Sequence, residues 1–144
     1  MGEGTFKQIG KSDKTLYGSR AALVCGFTAT EQKALMEFMA GIELTDLAVV
    51  FATEADGTAL LKDLVTRSDQ SGGDSDSGLT RAIILSGITE TELHRMLSNY
   101  RKNELPSPLW ATLTPYSENW SLSALLEELQ KEHQEMQKQK NKKS

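Results

Sequence analysis

The sequence predicts an α/β fold: two tandem β-α-β-α units with pseudo-twofold symmetry, their strands in one parallel or mixed sheet flanked by helices. Three observations predict it. The chain matches itself without gaps at an offset of 61 residues, where residues 20–65 and 81–126 share 11 identities in 46 positions; unrelated segments of that length would share roughly 3. Short apolar runs of strand length alternate with Thr-x-x-Glu helix starts in both stretches. A Gly/Ser/Asp-rich stretch separates them, where joined copies leave a connection.

Residues 1–19 are polar and rich in Gly and Lys, and read as a mobile leader. Residues 20–27 form an apolar run closed by Gly26, suited to a strand buried on both faces. Thr28 and Glu31 then have capping-box spacing, in which hydroxyl and carboxylate each satisfy a backbone donor at a helix start. The helix should run to about Gly41 with Leu35, Phe38, Met39 and Ile42 on one stripe. A second strand is expected over 47–52 and a shorter helix over 58–66, burying Leu60, Leu61, Leu64 and Val65. Residues 67–80 read as a flexible linker with nothing to pack.

The second unit, 81–130, repeats this order. A strand over 82–86 leads to a capping box at Thr89 and Glu92, and Leu93, Met96, Leu97 and Tyr100 form a helix stripe. Pro106 and Pro108 break the chain before a strand over 109–113. The last helix should start near Ser121, bury Leu122, Leu125, Leu126 and Leu129, and fray into a lysine-rich tail over 131–144. The two units together, 20–130, make a single domain. A strand–helix–strand connection of this length makes the strands within each unit parallel.

The net charge is −4. The five lysines of the tail against Glu132 and Glu135 leave the body acidic, which argues against a nucleic-acid partner, since phosphate contacts need clustered Lys and Arg. One cysteine, Cys25, precludes an internal disulfide, and its apolar neighbours make it a structural thiol. His94 and His133 lie on separate helices without metal-ligand spacing, so no metal and no cofactor is expected. There is no nucleophile elbow, dinucleotide fingerprint or paired catalytic carboxylate set, and the chain reads as a non-enzyme.

Two candidate sites remain. The connection following the last strand carries Pro115, Tyr116, Asn119 and Trp120, where the first unit has Glu54, Ala55, Thr58 and Ala59. Aromatic side chains with a polar tip suit recognition surfaces, so Tyr116, Asn119 and Trp120, with Arg101 and Lys102 as a nearby basic pair, are the expected partner-binding residues. The competing reading is that Trp120 fastens the last helix and Asn119 shapes the turn. The second candidate is anion or small-molecule binding at the two strand ends, Gly26 with Thr28 and Gly87 with Thr89, since a helix start can hold an anion. Glu31, Glu90 and Glu92 in the first helical turns oppose a phosphate there.

The closing block of the second unit, from Trp110 through Thr114, Pro115, Asn119 and Trp120 to Glu132 and His133, resembles a small uncharacterised family of non-photosynthetic bacteria. With its doubled unit, the whole chain is similar to the chloroplast photosystem I assembly factors of plants and algae. That resemblance implies a soluble stromal auxiliary, loosely attached to thylakoids through its partners, whose transit segment has been removed. It implies a non-catalytic role alongside a thylakoid-anchored tetratricopeptide assembly protein, helping to install the stromal iron–sulfur subunit.

Overall fold

The computed structural model describes residues 14–143. A four-stranded mixed sheet forms the middle layer, in the order β2-β1-β3-β4. The chain runs β1 (Ala21–Cys25), α1 (Ala29–Gly41), β2 (Ala48–Phe51), a single 3-10 turn (Glu54–Asp56), α2 (Leu61–Leu64), β3 (Ala82–Ser86), α3 (Glu90–Tyr100), β4 (Leu109–Thr112) and α4 (Leu122–Lys143). β1 and β3 are buried at every position, as their uninterrupted apolar runs require.

Both α1 and α3 start as the Thr-x-x-Glu pattern dictates. Thr28 Oγ1 accepts from the Glu31 amide at 3.1 Å while Glu31 Oε1 accepts from the Thr28 amide at 2.9 Å. Thr89 and Glu92 do the same at the same distances. Beneath these helices Ala22, Val24, Val49, Phe51, Ile83 and Leu85 form one core with Leu35, Phe38, Met39, Met96 and Tyr100. On the opposite face Leu23, Val50, Ala82 and Ile84 pack under α2 and α4 through Leu61, Leu64, Leu122, Leu125 and Leu126. Period-2 alternation along each strand divides the two sets.

The pairings recur at the offset seen in the sequence. β1 pairs β2 in parallel with Ala21 opposite Ala48; β3 pairs β4 in parallel with Ala82 opposite Leu109, each residue 61 further on. β1 and β3 meet antiparallel, with Leu23 opposite Ile84, again 61 apart. Loop contacts follow the same rule. Ala52 N–H donates to Val24 O and Leu113 N–H to Leu85 O; Leu61 N–H donates to Trp120 O and Leu122 N–H to Ala59 O.

Four expectations need correction. The helix over 58–66 is reduced to the four residues of α2, because the chain at Leu60 is extended and bridges Ser121; the 3-10 turn lies ahead of it, at Glu54–Asp56. The stretch 67–80 is not a flexible linker. Gln70 N–H donates to Val49 O, Phe51 N–H to Ser71 O at 2.9 Å, and Val49 N–H to Asp69 Oδ1 at 2.8 Å, so it closes the outer edge of β2. Farther on, Ser77 N–H donates to Phe27 O, and Gln32 holds Ser75 O and the Asp74 amide. Composition hid this because almost all the bonding is to the backbone. The leader is likewise fixed over 14–19: Leu16 N–H donates to Ile88 O at 2.7 Å and Gly87 N–H to Tyr17 O at 3.0 Å, while residues 1–13 lie outside the described residues. The tail does not fray at 131, for α4 continues to Lys143.

Cys25 and Ser86 occupy corresponding positions, both fully buried. Burial, with a contribution from Asp56, pushes the Cys25 thiol up to about 12, which leaves it inert as a nucleophile. Ser86 Oγ has no hydrogen-bond partner among the described residues. A buried hydroxyl without a partner costs free energy that a methyl group does not, so Ser86→Ala is expected to raise stability by about 0.5–1 kcal/mol in urea unfolding.

Candidate protein-interaction surface

The segment 114–120 leaves the end of β4 as a tight turn built by Thr114 and by Ser117, which sequence reading passed over. Thr114 Oγ1 accepts from the amides of Tyr116 at 3.1 Å and Ser117 at 3.0 Å, and Ser117 Oγ accepts from the Thr114 amide at 3.2 Å. Trp120 N–H closes onto Ser117 O at 2.9 Å. In the first unit Thr53 and Asp56 do the equivalent work, the Thr53 amide donating to Asp56 Oδ2 at 2.8 Å. The legible signal was a shared Thr with a short hydrogen-bonding residue three positions on.

This turn shapes the surface. Tyr116 is 79% exposed. Its ring meets Trp120 edge-on with centroids 5.6 Å apart. Trp120 is half-buried against the α2/α4 core, so it fastens the last helix and backs Tyr116 at once. Asn119 is exposed, and the turn is held by Thr114 and Ser117. Tyr17, 43% exposed, joins this end by donating its hydroxyl to Glu118 Oε1 at 2.8 Å, a bond that raises the tyrosine's pKa. Tyr17 and Tyr116 are two of the three large hydrophobic side chains exposed among the described residues; Met136 on α4 is the third.

Arg101 and Lys102 do not belong to this surface. α3 carries the chain from the end of β3 back to the start of β4, because those strands are parallel. The basic pair therefore sits where β4 begins, beside Tyr100, whose hydroxyl donates to Pro106 O and whose ring meets Trp110 at 5.1 Å. Tyr116 follows the other end of the same strand. Nearness in sequence misled here because a crossover spans the whole sheet.

The strand ends Gly26 and Gly87 lie at opposite ends of the sheet, since β1 and β3 are antiparallel. Each is filled by the chain itself. The Ala29 amide donates to Asp76 Oδ1 at 2.8 Å and the Glu90 amide to Lys14 O at 3.0 Å, beside the capping bonds of Thr28 and Thr89. Glu31 is engaged by Arg81 at 2.9 Å, and Glu92 by both guanidinium nitrogens of Arg20 at 2.6 and 2.7 Å. These donors serve as caps and leave no open cradle for an anion.

A concavity of about 640 Å³ is an open groove between the ends of α1 and α3. Its two carboxylates, Glu37 and Glu104, are both exposed. Among the described residues no group of His, Cys, Asp and Glu could hold a metal ion, and no helix is long and apolar enough to cross a membrane.

Residues 81–136 match a family described as a domain of unknown function, DUF3783; the match takes in β3, α3, β4 and most of α4. No curated protein and no solved structure matches the chain.

Proposed function

We propose that this protein is a non-catalytic assembly factor that works by protein–protein contact, presenting the Tyr17–Tyr116–Trp120 end of its sheet to a partner. The observation that carries this reading is the solvent-facing Tyr116 ring, braced by Trp120 on a turn that Thr114 and Ser117 hold rigid. A pre-ordered aromatic anchor with little conformational freedom to lose is the usual energetic centre of an interface. At the corresponding place the first unit has Ala55 and Ala59, so only one end of the molecule carries the anchor.

The doubling has a role in this reading. Taken as an internal duplication, the chain would have its halves meet where Leu23 lies opposite Ile84, as the halves of a homodimer meet on a twofold axis. Fusion lets one half change while the other keeps the scaffold, which suits an asymmetric partner. From the resemblance of the whole chain, the assembly served is photosystem I at the stromal face of the thylakoid. The partners would be the thylakoid-anchored tetratricopeptide protein and the stromal iron–sulfur subunit.

The test is complementation of a photosynthetic line lacking the protein. Tyr116→Ala, which removes no core contact, is expected to reach wild-type abundance yet restore little photosystem I, as loss of an anchor weakens binding about tenfold or more. Full restoration of photosystem I by the variant would overturn the proposal.

A further inference from the structure

The two outer edges of the sheet are treated differently among the described residues. At β2 the amides of Val49 and Phe51 face outward and are taken by Asp69 and Ser71. At β4 the amides of Leu109 and Leu113 bond Arg81 O and Leu85 O, so those of Trp110 and Thr112 point outward, and no described residue pairs with them. The strand, Leu-Trp-Ala-Thr, has neither the charge nor the proline that keeps an exposed edge from pairing.

Apolar ground flanks this edge on both faces. On one, Leu93, Leu97 and Trp110 line a groove of about 250 Å³. On the other, Leu109, Leu129 and Met136 line one of about 150 Å³. At the covered edge of the first unit, the counterparts of Leu93 and Leu129 are Gln32 and Ser68. Leucine thus stands beside the open edge where polar residues stand beside the closed one.

We propose that β4 pairs antiparallel with β4 of a second copy of this chain, joining the two four-stranded sheets into one, with Ala111 on the twofold axis. Trp110 and Thr112 of each copy then exchange N–H···O=C bonds with Thr112 and Trp110 of the other, which satisfies every outward amide of both strands. The neighbouring registers fail. One centred on Trp110 sets Thr112 against Pro108, which has no N–H. One centred on Thr112 sets Trp110 against Thr114, whose amide Ser117 Oγ already holds at 3.2 Å. With Ala111 on the axis, a small side chain occupies the non-hydrogen-bonded pair, where Cα atoms approach to about 4.5 Å.

Charge favours a second copy as the occupant. α3 begins with Glu90 and Glu92, and exposed Arg101 and Lys102 follow its last residue. Antiparallel β4 strands turn the basic end of each α3 toward the acidic start of the other, with the helix dipoles opposed. The chain already joins strands in this way at its own centre, where β1 and β3 meet antiparallel.

Sedimentation of the full chain over a concentration series tests this, with amide exchange read by NMR on the same samples. The mass is expected to rise toward twice the 15.9 kDa of one chain, and protection at Trp110 and Thr112 to fade with it on dilution. Thr112→Pro removes an outward donor and no bond within the sheet, and should leave a monomer in which Leu113, bonded to Leu85 O, stays protected. If proline loosens β4, Arg101→Glu with Lys102→Glu, away from the strand, decides instead, and should weaken pairing about tenfold or more. A chain that stays monomeric at every concentration would overturn the proposal, and protection of Thr112 in that monomer would mark the chain's own coverage of the edge. So would a dimer that Thr112→Pro with β4 intact, or the glutamate pair, leaves undiminished.

Discussion

Replacing Gly87 by alanine is expected to destabilise the fold by about 3 kcal/mol and lower the melting temperature by roughly 12 °C. Gly87 sits at φ +67°, and a Cβ would lie 2.5 Å from Gly18 O and 2.7 Å from the Arg20 nitrogen. Those atoms are backbone, so no rotamer change relieves the contact. Gly26, at φ +78°, would meet Leu79 O at 2.5 Å and Arg81 Cα at 2.7 Å, and Gly26→Ala should cost about as much. The control is Gly41→Ala at the end of α1, where a Cβ meets nothing within 4 Å. It should be neutral or stabilise by up to about 1 kcal/mol, because alanine is the better helix residue. Equal effects at Gly41 and Gly87 in thermal unfolding would contradict the close approach of the two units.

The second large effect is expected at the ion pair joining the units. Arg20, from the first, forks onto both carboxylate oxygens of Glu92, from the second, and reaches Asp46 at 3.0 Å. Arg81 and Glu31 make the reciprocal pair with one bond of 2.9 Å, the guanidinium lying over the Phe27 ring at 5.4 Å. The Arg20 hydrogen bonds, helped by the Thr89 amide and opposed by burial, lower the Glu92 carboxyl to about 2. The folded pKa lies below the unfolded value of about 4.3, so this stabilisation is complete above that value. It is lost as pH falls toward 2. Arg20→Ala should cost about 2 kcal/mol at pH 7 and flatten the fall in stability between pH 4.5 and 2. Arg20→Lys should recover only part of it, since an ammonium cannot bond both oxygens in the same plane. An unchanged acid limb in urea unfolding of Arg20→Ala would remove Glu92 from the account.

Both effects concern places that were legible before any coordinates. Gly26 and Gly87, Thr28 and Thr89, Glu31 and Glu92 stood at one offset in the sequence because each solves a local backbone problem with a particular side chain. The apolar runs of β1 and β3 were legible because burial on both faces leaves no polar position. What escaped was bonding that side-chain chemistry does not encode. Residues 67–80 are held by their own backbone groups and by short side chains such as Asp69 and Asp76 that bond to backbone amides elsewhere, so a stretch of Gly, Ser and Asp looked idle. The path of 14–19 was hidden for the same reason. Arg101 and Lys102 were misplaced because distance along the chain says little across a strand–helix–strand crossover. Of the aromatic surface, Tyr116 and Trp120 stood out against Ala55 and Ala59. Tyr17 could not, because a bond to Glu118 brings it there from far upstream.

The proposed role as a protein-binding scaffold is tested most directly by locating the surface that a partner touches. The direct measurement is an NMR titration of the labelled chain with the two proposed partners, the stromal iron–sulfur subunit alone and together with the tetratricopeptide protein, following every assigned amide. The result expected is a set of perturbed resonances centred on Tyr17, Tyr116, Glu118 and Trp120, abolished in Tyr116→Ala. Perturbations centred instead on the groove between α1 and α3, around Glu37 and Glu104, or on the capped turns at Thr28 and Thr89, would contradict it.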